Sequence, residues 1–144
     1  MPKAVLLTAV ARARGIPGRV GFADVRNHLS TDKLAARMGD DVFIWHGYCE
    51  LYVNEKWVKA TPAFNAELCA RFGVPPLEFD GTQDALMHAF DGEGAQFMEY
   101  LNDRGTFPDV PYDRVMADFQ LHYPGMMAAV AAGTVGQETD AFAP

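Results

Sequence analysis

The residues best suited to chemistry fall in one stretch, Trp45-His46-Gly47-Tyr48-Cys49-Glu50-Leu51-Tyr52. Histidine is the side chain whose ordinary proton affinity lies nearest neutrality, so His46 is the natural general base or acid. Cys49 is a candidate nucleophile, because a thiolate attacks carbonyl carbon readily. In a strand, however, side chains alternate. His46, Tyr48 and Glu50 then share one face, and Gly47, Cys49 and Leu51 share the other, so Cys49 cannot serve His46 without a bulge. Cys69, beside Leu68 and Phe72, reads like Cys49 as a packing thiol. Asn27-His28 follows another strand, where His28 could line the same cleft or cap a turn. His88 and His122 have no partner at ligand spacing, so no metal and no cofactor is expected, and a His28/His46/His88 zinc site is the weakest option. The acidic pairs Glu78/Asp80 and Asp91/Glu93 lie in turn-rich segments and read as solvated.

Several elements must position these residues. Lys3 to Arg14 is expected to be a helix, with Leu6, Val10 and Ala13 forming an apolar line beside Val5 and Ala9, and Gly15 as its stop. Gly15-Ile16-Pro17-Gly18 turns the chain into a strand over Arg19 to Val25. A second helix through Asp32 to Met38 is capped by Ser30 or Thr31 and ended by Gly39. Val42 to Val53 and Lys56 to Ala60 read as a hairpin around Asn54-Glu55, since β-branched and aromatic residues dominate both runs. Phe43, Trp45, Tyr52 and Trp57 are expected to be sheet core. Ala66 to Phe72 is a short helix before Pro75-Pro76, Leu86 to Phe90 a strand, Asp91 to Gly94 a turn, and Tyr112 to His122 a helix opened by Pro111. From Gly125 the chain is small and polar and is expected to fray. The expected class is α+β, a leading helix packed on an antiparallel sheet.

The 144 residues, about half hydrophobic, suffice for one core and not for two. A formal charge of −7 argues against nucleic acid and anionic membrane surfaces as partners. The short apolar run after Lys3 is followed at once by Arg12 and Arg14, so it reads as a cytosolic helix and not as a signal peptide. Two cysteines are too few for a disulfide framework and suit a reduced, cytoplasmic chain.

Three segments in order, Ala4 to Arg19 with its Gly15-Ile16-Pro17-Gly18-Arg19 turn, His46-Gly47-Tyr48-Cys49-Glu50, and Trp57-Val58-Lys59-Ala60-Thr61-Pro62, resemble the transglutaminase-like superfamily of papain-related cysteine enzymes. The likeness covers roughly Met1 to Asn65. It implies that residues 1–124 are the C-terminal portion of such a domain, followed by a flexible tail over 125–144. It also implies a nucleophilic cysteine at the N-terminus of the leading helix, one position ahead of Met1, and His46 as the base. The family's Asp before Pro, which orients the imidazole, is replaced by Thr61, with Asn65 or Asp80 as substitutes. Trp45, Tyr48 and His28 are the implied substrate-binding residues.

Two functions follow from the resemblance. One is an enzyme that hydrolyses an amide or transfers its acyl group through a thiol, acting on a peptide or protein, with the chain as given inactive. The other is a non-catalytic peptide-binding module that keeps the fold. An uncovered face of the leading helix is expected to promote self-association.

Overall fold

A computed structural model describes residues 1–28, 41–63, 65–71, 73–86 and 98–134. The expected helix over Asp32 to Met38, the turn over Asp91 to Gly94, and all of the Leu86 to Phe90 strand except Leu86 lie outside these residues. In chain order the elements are α1 (Pro2–Ala13), β1 (Gly18–Asn27), β2 (Val42–Val53), β3 (Lys56–Ala60), α2 (Ala66–Arg71), β4 (Met98–Phe107), α3 (Tyr112–His122) and α4 (Pro124–Ala131). The strands form one antiparallel sheet in the order β3-β2-β1-β4, which gives the expected α+β class.

Helix α1 starts at Pro2, whose fixed φ suits a first helical turn. It ends where Gly15 adopts φ +79°, letting the Ile16 amide bond back to the Ala11 carbonyl at 3.0 Å. Its buried line is Ala4, Thr8 and Ala11, whereas Leu6 and Val10 are exposed. The expected apolar line is therefore the outer face. Small residues face the sheet because helix and strands approach closely: a Cβ on Gly47 would stand 3.0 Å from the Met1 Cα, and one on Gly18 would stand 3.4 Å from the Thr8 methyl. Leucine or valine on that seam would hold the two layers apart. Thr8 satisfies its buried hydroxyl by donating to the Ala4 carbonyl at 2.9 Å.

The β2–β3 turn places both Asn54 and Glu55 at positive φ, 50° and 63°. This is the two-residue geometry whose twist matches the strands it joins. Tyr52 and Trp57 pair across the hairpin with ring centroids 5.4 Å apart, but each is 41% exposed, so they cover the sheet's surface and are not core. On the outer edge of β3, Ala85 forms a parallel bridge with Ala60. Its amide donates to the Lys59 carbonyl at 2.8 Å and its carbonyl accepts from the Thr61 amide at 3.0 Å, while Asp84 accepts from the Lys59 amide at 2.8 Å.

Strand β4 and helix α4 go beyond the sequence expectation. Among the described residues β4 pairs only with β1, and its run Glu99 to Arg104 is mostly polar and mostly exposed. An edge strand needs no continuous apolar pattern, so its sequence did not announce it. Helix α4 takes the place of the fraying expected from Gly125 over its own length; Pro124 opens it, and Met126 packs into the core. Tyr123, between α3 and α4, pins this pair to the sheet: its hydroxyl accepts from the Ile44 amide at 2.8 Å and donates to the Val42 carbonyl at 2.7 Å.

The sheet is covered on both faces. Val20, Phe22, Ile44, Trp45, Val115 and Tyr123 pack together with Met1 and Val5 of α1 and Phe119 of α3. On the other face lie Ala23, Val25, Tyr48, Cys69, Val74 and Met98. Among the described residues no helix is long and apolar enough to cross a membrane.

Candidate functional site

His46 lies on the long central part of β2, paired with Ala23 of β1. Two residues on, Tyr48 pairs with Gly21, so alternation gives His46, Tyr48 and Glu50 one face, as expected. Gly47, between His46 and Tyr48, lies directly beneath Met1. The N-terminus of α1 therefore rests on the Gly47 face of β2, one residue along from His46, whose side chain takes the opposite face with Tyr48. The effect on the imidazole is large. Burial, then repulsion from the α-amino group of Met1, lowers the His46 pKa from 6.5 to about 4. Burial and the Lys3 ammonium in turn lower the pKa of that α-amino group. Among the described residues no carboxylate offsets these effects on His46, so the ring is neutral at pH 7 and a weaker base than a free imidazole.

The other expected residues spread apart. Cys49 lies on the α1 face, fully buried with Ala11, Leu51 and Ala60, and burial raises its thiol pKa to about 11 despite a hydrogen bond with Thr8. Cys69 is buried on the opposite face. Both are packing thiols. Thr61 is buried, and its Oγ1 is without a hydrogen-bond partner among the described residues, so it does not orient the imidazole. Asn65 sits exposed just before α2, where its carbonyl accepts the Cys69 amide at 3.0 Å. Asp80 is turned onto Thr82, accepting its amide and its hydroxyl at 2.7 Å. His28, exposed at the end of β1, lies 3.5 Å from Glu99. It is five residues along β1 from the partner of His46, roughly 16 Å at the rise of a strand, so the two share no cleft. Among the described residues no histidine, cysteine and carboxylate cluster could hold a metal.

Trp45 is 1% exposed and so cannot line a substrate cleft. It has a different part. Between His46 and Phe43, β2 holds one residue more than the opposing stretch of β1, and Trp45 there takes φ +56°. For a tryptophan this conformation costs on the order of 1 to 3 kcal/mol and needs support from its surroundings. That support is polar. Asp24 accepts the Trp45 amide at 3.1 Å, and Asp118 of α3 accepts its indole N–H at 2.8 Å. Arg104 of β4 joins the two carboxylates, donating to each at 2.6 Å, with its guanidinium carbon 4.5 Å from the Trp45 ring centroid. Burial pushes the Asp24 carboxyl up, but hydrogen bonds from Arg104, Asn102 and the Trp45 amide more than reverse this and hold it below its ordinary value. Asp118 is lowered by the indole hydrogen bond and by Arg104. Sequence reasoning passed over Asp24, Arg104 and Asp118. One signal was present: a carboxylate in the apolar run Val20 to Val25 must find a partner once buried.

Tyr48 crosses β1 and donates to Asp103 of β4 at 3.2 Å, and Lys59 stands over its ring at 5.0 Å. Lys59 also lies 3.5 Å from Asp103, and Arg19 bridges Glu50 at 2.6 Å. Away from His46, a hollow of about 280 Å³ opens between α1 and β3, lined by Leu7, Leu51, Thr61, Leu77 and Phe79 among others. In comparisons with known proteins, no protein family, no characterised protein and no solved structure matched the chain.

Proposed function

We propose that the chain carries the base half of a thiol-dependent acyl-transfer or amide-hydrolysis site of the transglutaminase-like kind. His46 is the base, and the N-terminal end of α1 is the nucleophile's place. The observation that carries this reading is the seating of Met1 on Gly47, which places a helix N-terminus one residue along β2 from a partly buried histidine and near enough for its α-amino charge to act on the ring. A helix N-terminus stabilises a thiolate through its dipole and free amides, and an adjacent neutral imidazole takes the thiol proton. In the reaction, sulfur attacks the amide carbonyl carbon. The C–N bond breaks, and the amine leaves with the proton that the imidazole held. Water or a second amine then displaces the thiol from the thioester, giving an acid or a new amide. Both cysteines are buried away from this place, so neither is the nucleophile of this reading. Two reduced thiols suit a cytoplasmic setting.

The test extends the chain by a segment ending in Cys immediately ahead of Met1. Incubation with a glutaminyl peptide, with and without hydroxylamine, reports transfer and hydrolysis separately. Thiol-dependent product that disappears in His46→Ala is the expected result. No product with either acceptor from a folded, extended chain overturns the reading.

The hollow beside Thr61 favours a second reading, a peptide-binding module that seats an apolar side chain between α1 and β3. Peptide binding by the unextended chain that is lost in Leu7→Glu, with no turnover after extension, supports it. A peptide library that gives no binding removes it.

A further inference from the structure

The extra residue in β2 determines where His46 sits. Trp45 and Ile44 are consecutive, yet both pack into the cluster under α3, whereas Phe43 and the Ala23 partner of His46 belong to the opposite cluster. Two neighbours on one side are possible only because Trp45 departs from strand geometry. Ironing out the bulge moves the register by one residue, and each one-residue shift sends side chains to the other face. His46 is the first residue beyond the bulge.

Three groups hold Trp45 in that state, and they come from three different elements. Asp24 on β1 takes its amide, Asp118 on α3 takes its indole, and Arg104 on β4 ties both acids together. The side chain of Arg104 is 18% exposed and that of Asp24 is 11%, so this pair is largely withdrawn from water, where charged hydrogen bonds are strongest, whereas Asp118 is 34% exposed. The same arginine also faces the indole ring, so one side chain fixes the backbone, the ring edge and the ring face of Trp45.

We propose that Asp24, Arg104 and Asp118 are positioning residues for His46: they hold the Trp45 bulge and thereby set the sheet face and depth at which the imidazole is presented, one residue along β2 from the Gly47 seat of the α1 N-terminus. None of them is offered as touching a substrate. The catalytic meaning rests on His46 as the base, but the geometric claim does not.

The experiment is an NMR titration of His46 in the chain as given, with its signal assigned by loss in His46→Gln. Arg104→Met is expected to raise the His46 midpoint by at least one pH unit as the ring gains water, while Arg104→Lys restores most of the shift. A folded Arg104→Met with an unchanged midpoint overturns the proposal. Should Arg104→Met fail to fold, Asp118→Asn loosens only the α3 end and is expected to raise the midpoint by a smaller amount; an unchanged midpoint there is equally fatal. Amide exchange in the unaltered chain is a further test. Trp45 is expected to be as protected as Cys49, and exchange as fast as that of Glu55 in the hairpin turn overturns the proposal even where both variants unfold. No turnover is measured, so failure of the acyl-transfer reading leaves these outcomes intact.

Discussion

The ring of Tyr48 leans across Gly21 of the neighbouring strand so closely that a Cβ at position 21 would stand 2.2 Å from its Cε2 and Cζ atoms. The absent side chain is what lets Tyr48 cross β1 and reach Asp103. Gly21→Ala is therefore expected to cost about 1 to 3 kcal/mol, the usual range for forced overpacking. Urea unfolding measures it. Adding Tyr48→Ala should make the second change cost less in the Gly21→Ala background than alone, and strict additivity would show that the two residues do not meet.

His46 makes stability depend on pH with a definite sign. Its folded pKa, about 4, lies below the ordinary 6.5, so between these values the unfolded chain binds a proton that the folded chain does not. Stability is complete above about 6.5 and falls as the pH drops toward 4, by about 3 kcal/mol in total. Unfolding midpoints at a series of pH values should show this slope, and His46→Gln should flatten it. Acetylating the Met1 α-amino group removes the like charge and should move the His46 midpoint upward.

Neither thiol is expected to react in the folded protein. Cys49 is fully buried with its pKa raised to about 11, and Cys69 is 3% exposed. A chromogenic disulfide reagent at pH 8 should find no thiol under native conditions and two after denaturation. Fast native labelling at Cys49 would mean that the α1–sheet seam opens readily.

Leu6, Ala9, Val10 and Ala13 all face outward on α1. Residues three and four apart form one stripe along a helix, and an apolar stripe in water drives association. Sedimentation of the chain should show concentration-dependent self-association that Leu6→Glu with Val10→Glu abolishes. A monomer at all concentrations, with or without these changes, removes this expectation.

What the sequence revealed followed local pattern. The β2–β3 hairpin was legible because alternation, β-branched content and a two-residue turn all agreed. Helix α1 was legible in extent but not in orientation. Two of its strongest hydrophobics, Leu6 and Val10, point outward, because the close approach at Gly47 and Gly18 puts Ala4, Thr8 and Ala11 on the seam, and that is a property of the sheet partner. β4 escaped notice because an edge strand with one neighbour can be polar. Within the site, His46 stood out by residue type. Its setting did not, because Asp24, Arg104 and Asp118 lie 80 and 14 residues apart along the chain, and only the fold makes them a unit. The bulge at Trp45 was equally hidden, since no glycine marks it.

The bridge of Ala85 to β3 has a consequence for how copies of this chain meet. An exposed strand edge is a row of open donors and acceptors on which another chain can lay a strand, and runs rich in Val, Trp and Lys such as 56–60 are apt templates. Here Asp84 and Ala85 already occupy the Lys59 and Thr61 positions of that row. At the β3 edge the segment works as a built-in stopper against growth of the sheet into a fibre. Concentrated protein is thereby steered away from strand stacking at that edge, a kind of contact that does not dissolve on dilution.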